Sequence, residues 1–159
     1  MAFLEEYKAH VAEREALGVP ALALSADQTS QLIELIKADC TDELLDLLTN
    51  RVAPGVDDAA YVKAAFLNDV AQENVAVAAI SPERAVEMLG MMLGGYNVKP
   101  LVDALSSSNS AVVEAAVKAL SHTLLVYDAF NDVEELHKYG NEAATRVITS
   151  WANAEWFTS

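Results

Sequence analysis

The sequence predicts an all-α fold, and three observations carry that prediction. Apolar residues recur at helical spacing from one end of the chain to the other, without the sustained apolar–polar alternation a half-buried strand requires. Helix start and stop signals punctuate the chain every few turns. The stretch from Ser110 onward carries only one narrow polar stripe, so most of its circumference must face other helices.

The first helix is predicted over Phe3–Leu17, stopped by Gly18 with Pro20 behind it. Ser25-Ala26-Asp27-Gln28 reads as a capping box, in which the serine satisfies an orphan N–H and the glutamine reaches back. Leu32, Ile33, Leu35 and Ile36 then form the apolar face of a short helix. Thr41 caps another helix, with Leu44, Leu45, Leu47 and Leu48 on its inner side. The segment "APGVDD" is a turn, after which Asp57 caps a helix carrying Tyr61, Val62, Ala65, Phe66 and Val70. "ENVAVAAI", Glu73 to Ile80, has a β-like composition but no evident partner strand, and is expected to be an extended connection. Ser81 caps the next helix with Pro82 at its first position.

Further helices are expected at Pro82–Leu93, Val98–Ser106, Ser110–Tyr127, Asp132–Tyr139 and Glu142–Phe157, with Ser106 to Asn109 a short polar corner. Ser110–Tyr127 is the predicted central helix. Its stripe is Glu114, Lys118 and the Ser121-His122 pair, and its alanines at 111, 115, 116 and 119 invite close neighbours. Leu120 and Leu124 lie opposite the stripe and should be buried. In the last helix Trp151 shares a face with Ala154 and Phe157, while Trp156 points the other way. Trp151 is therefore expected inside and Trp156 more exposed.

"ELLDLL" from Glu43 and "EMLGMM" from Glu87 lie 44 residues apart, each followed by a glycine- or proline-containing corner and another helix. That offset falls in the roughly 40–47 residue range of HEAT and armadillo units. The expected architecture is a HEAT-like, irregular α-helical repeat: paired antiparallel helices in a right-handed, superhelix-like stack.

With 159 residues, the chain is one domain's worth, and an apolar fraction of 53% excludes intrinsic disorder. Ten Lys and Arg against 24 Asp and Glu give a net charge of −14, and the basic residues never cluster. Such a balance disfavours direct nucleic-acid binding. Cys40 is the only cysteine, which excludes an internal disulfide, a cysteine-ligated iron–sulfur cluster and a four-cysteine zinc site. The start lacks the pattern of a signal peptide, and the most apolar window, Ala111 to Val126, is too short to span a bilayer and contains Glu114 and Lys118. No membrane partner and a cytoplasmic location are expected.

No catalytic constellation emerges from the residues. Gly94-Gly95 fits neither the Walker loop nor the dinucleotide fingerprint, and reads instead as a helix C-cap at a corner. Backbone N–H groups at the following helix start, with Lys99 nearby, leave a weak anion-binding alternative. His10, His122 and His137 each lack a partner histidine at helical ligand spacing. Adjacent Ser121 and His122 point in different directions and cannot form a nucleophile–base pair. Met88, Met91 and Met92 read as core filler.

Five segments together resemble one family. They are "LEEYKAHVAERE" from Leu4, "LLDLLTNRVAPGVDDAAYVKAAFL" from Leu44, "GGYNVKPLVDAL" from Gly94, "KALSHTLLVYDAFNDVEE" from Lys118 and "SWANAEWF" from Ser150. The family is the N-terminal region of bacterial aconitase B, the bifunctional aconitate hydratase and 2-methylisocitrate dehydratase. The resemblance implies that residues 1–159 are a single HEAT-like domain preceding catalytic domains that this chain lacks. It also implies a parent lyase converting citrate to isocitrate through cis-aconitate, whose [4Fe-4S] cluster and substrate residues lie later in the chain. Cys40 matches none of the cluster cysteines, so no catalytic, cofactor or metal residue is assigned here. The chain is expected to be an isolated domain or a stand-alone copy.

For the domain itself the resemblance implies protein–protein recognition, self-association and a wall of the passage to the active site. The expected partners are the catalytic domains of the same enzyme or another subunit, including a homodimer. The family's messenger-RNA binding sits poorly with the charge of this segment. The candidate interaction surface is Trp156 with Gly94, Gly95, Tyr96, Asn97 and Lys99. The alternative is an independent binding protein that reuses the fold, with a small-anion or partner site near Gly94–Lys99.

Overall fold

Four short polar side chains set the phase of the molecule. In the computed structural model, which describes residues 2–123 and 127–154 (Tyr127 and Asp128 by backbone alone), Ser25, Thr41, Asp57 and Ser81 each accept a hydrogen bond from the backbone N–H three residues on. At Ser25 the reciprocal bond is also made: Gln28 Oε1 accepts from the serine N–H at 3.0 Å. Each cap satisfies a donor that the first turn leaves orphaned, so the helix behind it starts at a defined residue.

Among the described residues there are nine helices and no sheet: α1 Ala2–Ala16, α2 Ala26–Ala38, α3 Asp42–Asn50, α4 Asp58–Ala71, α5 Pro82–Gly90, α6 Val98–Ala104, α7 Ser110–His122, α8 Tyr127–Lys138 and α9 Glu142–Ala152. Glu73 to Ile80 is a non-helical connection as expected, but a turned rather than an extended one: Glu73 has φ 62° and an isolated bridge closes Val77 on Ile80. Five helices form a spine, each packed on the next: α2, α4, α5, α7, α9. Helix α3 lies on α2, α6 on α5 and α7, and α8 on α9. This is the helical-repeat stack that the sequence predicts.

Helix α7 is central, packed against α5, α6 and α9. Leu120 is fully buried, as are Val112 and Ala116, while Glu114 and Lys118 face solvent. Its small residues do bring neighbours close: a Cβ on Gly90 of α5 would stand only 2.8 Å from the Ala119 Cβ.

Several boundaries differ from expectation. Helix α7 ends at His122 rather than Tyr127, and α8 begins at Tyr127 rather than Asp132. Three consecutive side chains bond back to the last turn of α7. Ser121 Oγ donates to the Val117 carbonyl at 2.7 Å, Thr123 Oγ1 to the Ala119 carbonyl at 2.7 Å, and His122 Nδ1 lies 2.8 Å from the Lys118 carbonyl. Thr123, the C-cap, turns extended, and its N–H donates to the Leu120 carbonyl at 3.3 Å in place of the next α-helical bond. Helix α5 stops at Gly90, three residues short of the predicted end, and α6 at Ala104. Met88 and Met92 are buried, but Met91 is 53% exposed and is not core. Leu124, Trp156 and Phe157 lie outside the described residues.

Lys63 is the unforeseen member of the core. It sits on the inner face of α4 between Ala60 and Leu67 and is only 5% exposed. Among the described residues no ion pair or hydrogen bond engages it, and no fully buried side-chain nitrogen lacks a partner. Its stem is packed inside, and the ammonium is largely but not wholly removed from solvent. Burial holds its pKa below the ordinary lysine value.

Candidate interaction site at the Gly94–Lys99 corner

The glycine pair does not cap α5. That place belongs to Met91, and the chain then runs through Met92 and Leu93 before the glycines. What the glycines permit is contact with a loop forty residues earlier. The Leu93 N–H donates to the Pro54 carbonyl at 2.8 Å, and the Tyr96 hydroxyl donates to the Val56 carbonyl at 3.0 Å. Gly94 lies between these two bonds, directly on Gly55: a Cβ there would collide with the Gly55 carbonyl and the Val56 nitrogen. Gly95 follows with φ +93°, a left-handed conformation that L side chains adopt only under strain.

Asn97 is buried, at 2% exposure, and belongs to the scaffold of the corner rather than to its surface. Its Nδ2 donates to the Leu89 carbonyl at 2.7 Å and to the Met92 carbonyl at 3.1 Å, which ties down the end of α5. Lys99 is exposed and reaches back to both carboxylate oxygens of Asp103 at 3.2 Å. The space above Gly94 is filled by the Gly55 backbone and the nearest cation is engaged by a carboxylate. The corner is built by backbone contact.

Its outer surface is apolar. Leu93 is 81% exposed and Val56 73%, with Met91 and Tyr61 also exposed. Tyr61, in the first turn of α4, meets the Tyr96 ring edge-to-face at a centroid distance of 5.4 Å. Sequence reasoning singled out Gly94 to Lys99 but missed the other half of this surface, because Val56 and Tyr61 come from a different connection. Both residues stand in "APGVDDAAY", which the sequence marks only as a turn and a helix start.

The other candidate, Trp156, lies outside the described residues, while Trp151, expected inside, is buried. Its indole Nε1 donates to the Leu120 carbonyl at 2.8 Å, and its ring stacks on Phe130 at 5.5 Å. That bond fixes the end of α9 against the end of α7.

Cys40 follows α2, half-buried, and burial with the neighbouring Asp39 and Asp42 raises its thiol pKa. One thiol held in its protonated form does not fit an iron–sulfur cluster, which takes several thiolates. Among the described residues no group of three His, Cys, Asp or Glu side chains is placed to hold a metal ion. No helix among them is long and apolar enough to cross a membrane.

The described helices form a helical-repeat stack with an exposed apolar corner. Residues 6–157 match the aconitate B N-terminal domain, and the chain belongs to that family. It is 55% identical over 159 residues to the aconitate hydratase B of Salmonella typhimurium and 55% over 157 residues to that of Escherichia coli. The Helicobacter pylori protein of the same name is 44% identical over 157 residues. These matches cover 97–98% of this chain but only 18% of each relative, so the chain spans less than a fifth of the proteins it resembles.

Proposed function

We propose that this chain acts as a non-catalytic, helical protein-interaction domain of an aconitate hydratase B-type enzyme, serving self-association and forming one wall of the passage to the active site. The parent reaction is the interconversion of citrate and isocitrate through cis-aconitate, performed with a [4Fe-4S] cluster bound elsewhere. One observation carries this reading: a rigid corner built from two distant loops turns Leu93, Val56, Tyr61 and Tyr96 outward. Large apolar side chains held in place at a surface mark a contact region for protein. A small-anion site at Gly94–Lys99 has less support, since Asp103 already holds Lys99.

The test compares two proteins. Purified chain, after anaerobic treatment with iron and sulfide, is expected to leave cis-aconitate unchanged. The same chain, spliced in place of the matching segment of the Escherichia coli relative, is expected to support turnover and the parent's sedimentation behaviour. Turnover by the chain alone, or normal turnover and sedimentation after deleting the segment, overturns the proposal.

A further inference from the structure

The helices alternate in direction, so their connections gather at two poles. At the first pole the link after α1 meets the end of α3 through the Leu24 N–H and Arg51 carbonyl, 2.8 Å apart. The loop after α3 meets the 91–97 corner through Pro54–Leu93 and Val56–Tyr96. The end of α5 meets α7 at Gly90 and Ala119, and the end of α7 meets the end of α9 at Leu120 and Trp151. At the second pole, residues 71–73 face 104–108, and Asn141 Nδ2 donates to the Leu105 carbonyl at 3.3 Å.

The two poles differ in chemistry. Among the described residues ten large apolar side chains are exposed, and nine of them lie at the first pole or within about a turn of it. The corner contributes five, from Val56 to Tyr96. Leu17, Val19 and Leu22 come from the link after α1, and Phe130 from the start of α8. The second pole has Tyr139 alone, among Ser106, Ser108, Glu73 and other exposed polar groups. Isolated surface apolar residues are ordinary, but a nine-to-one division between the ends is not.

Helix α9 also ends at the first pole, where Trp151 anchors it to Leu120 and Phe130. In an N-terminal domain that makes up 18% of its relatives, the polypeptide that follows therefore leaves from this same end. Resting on the function proposed above, we propose that the first pole is the docking face and that its occupant is the segment following α9 in the longer enzyme. The domain then binds end-on, through its connections. Helical-repeat proteins commonly bind instead through the concave face of the stack.

Hydrogen exchange separates these geometries. It is measured on the isolated chain and on the same chain spliced into the Escherichia coli relative. Exchange in residues 17–24, 53–57 and 91–97 is expected to slow by about tenfold or more in the longer protein, with 39–41, 105–109 and 139–141 unchanged. Leu93→Asp is expected to abolish the slowing at 91–97, and Tyr139→Asp to leave it intact. Slowing along α3, α6 and α8 or at the second pole overturns the end-on face while leaving the interaction-domain reading standing. So does unchanged exchange at the first pole in a chimera that turns over normally. Slowing at the first pole of the isolated chain that grows with concentration assigns the face to a second copy and overturns the proposed occupant.

Discussion

Gly94→Ala isolates the contact on which the corner depends. Gly94 has no left-handed φ, so alanine brings no backbone strain of its own. Its methyl group, however, occupies the place of the Gly55 carbonyl, and backbone atoms on both sides leave no flexible side chain to yield. The two loops must part, taking with them the Leu93–Pro54 bond at 2.8 Å and the Tyr96–Val56 bond at 3.0 Å. Each bond contributes about 0.5–1.5 kcal/mol, and the forced separation of a packed contact adds about 1–3 kcal/mol. A loss of roughly 2–6 kcal/mol is expected. Urea melts followed by far-ultraviolet circular dichroism measure it, and with a slope of about 1–3 kcal/mol per molar the midpoint falls by about 1 M or more. Tyr96→Phe removes one bond without a collision and should cost about 1 kcal/mol. A Gly94→Ala protein within about 0.5 kcal/mol of wild type would refute the loop-on-loop packing.

Leu120→Ala should cost about 2–5 kcal/mol in the same melts, against almost nothing for Lys118→Ala, one buried and the other exposed on α7; equal small losses would misplace the buried face. For Lys63, burial lowers the folded-state pKa while the unfolded lysine keeps its ordinary value of 10.5. The unfolded chain then binds more protons between those two values, so the stability deficit is present below the folded pKa and disappears as pH rises toward 10.5. Lys63→Met should stabilise the protein by about 1 kcal/mol or more at pH 7, and its advantage should shrink toward pH 10. An advantage that grows with pH would contradict a desolvated ammonium.

What the sequence makes legible here is what is local. The caps at Ser25, Thr41, Asp57 and Ser81 act on N–H groups three residues away, so the residue types alone locate them. The end of α7 carries no local mark, because the apolar run past Thr123 keeps helical spacing. Asn97 looked like a surface amide because its buried carbonyl partners carry no mark in the sequence. The partner of Gly94 stands in a loop that no spacing rule connects to it. Lys63 is the clearest case of tertiary override, since alanines on either side of it close the core around its stem.

The order of the spine has a mechanical consequence. Helices α2, α4, α5, α7 and α9 pack on successive members of the series, so each interface joins segments close in the chain. Such a structure is a column of coupled joints, with short loops to close and a fast route to folding. It can also yield joint by joint. Opening at α1, which is secured by buried Phe3 and Tyr7 and touches α2 only slightly, need not travel as far as α9. A load applied where α9 ends is borne first by the Trp151–Leu120 bond, and from there by the close approach of α7 and α5 at Ala119 and Gly90.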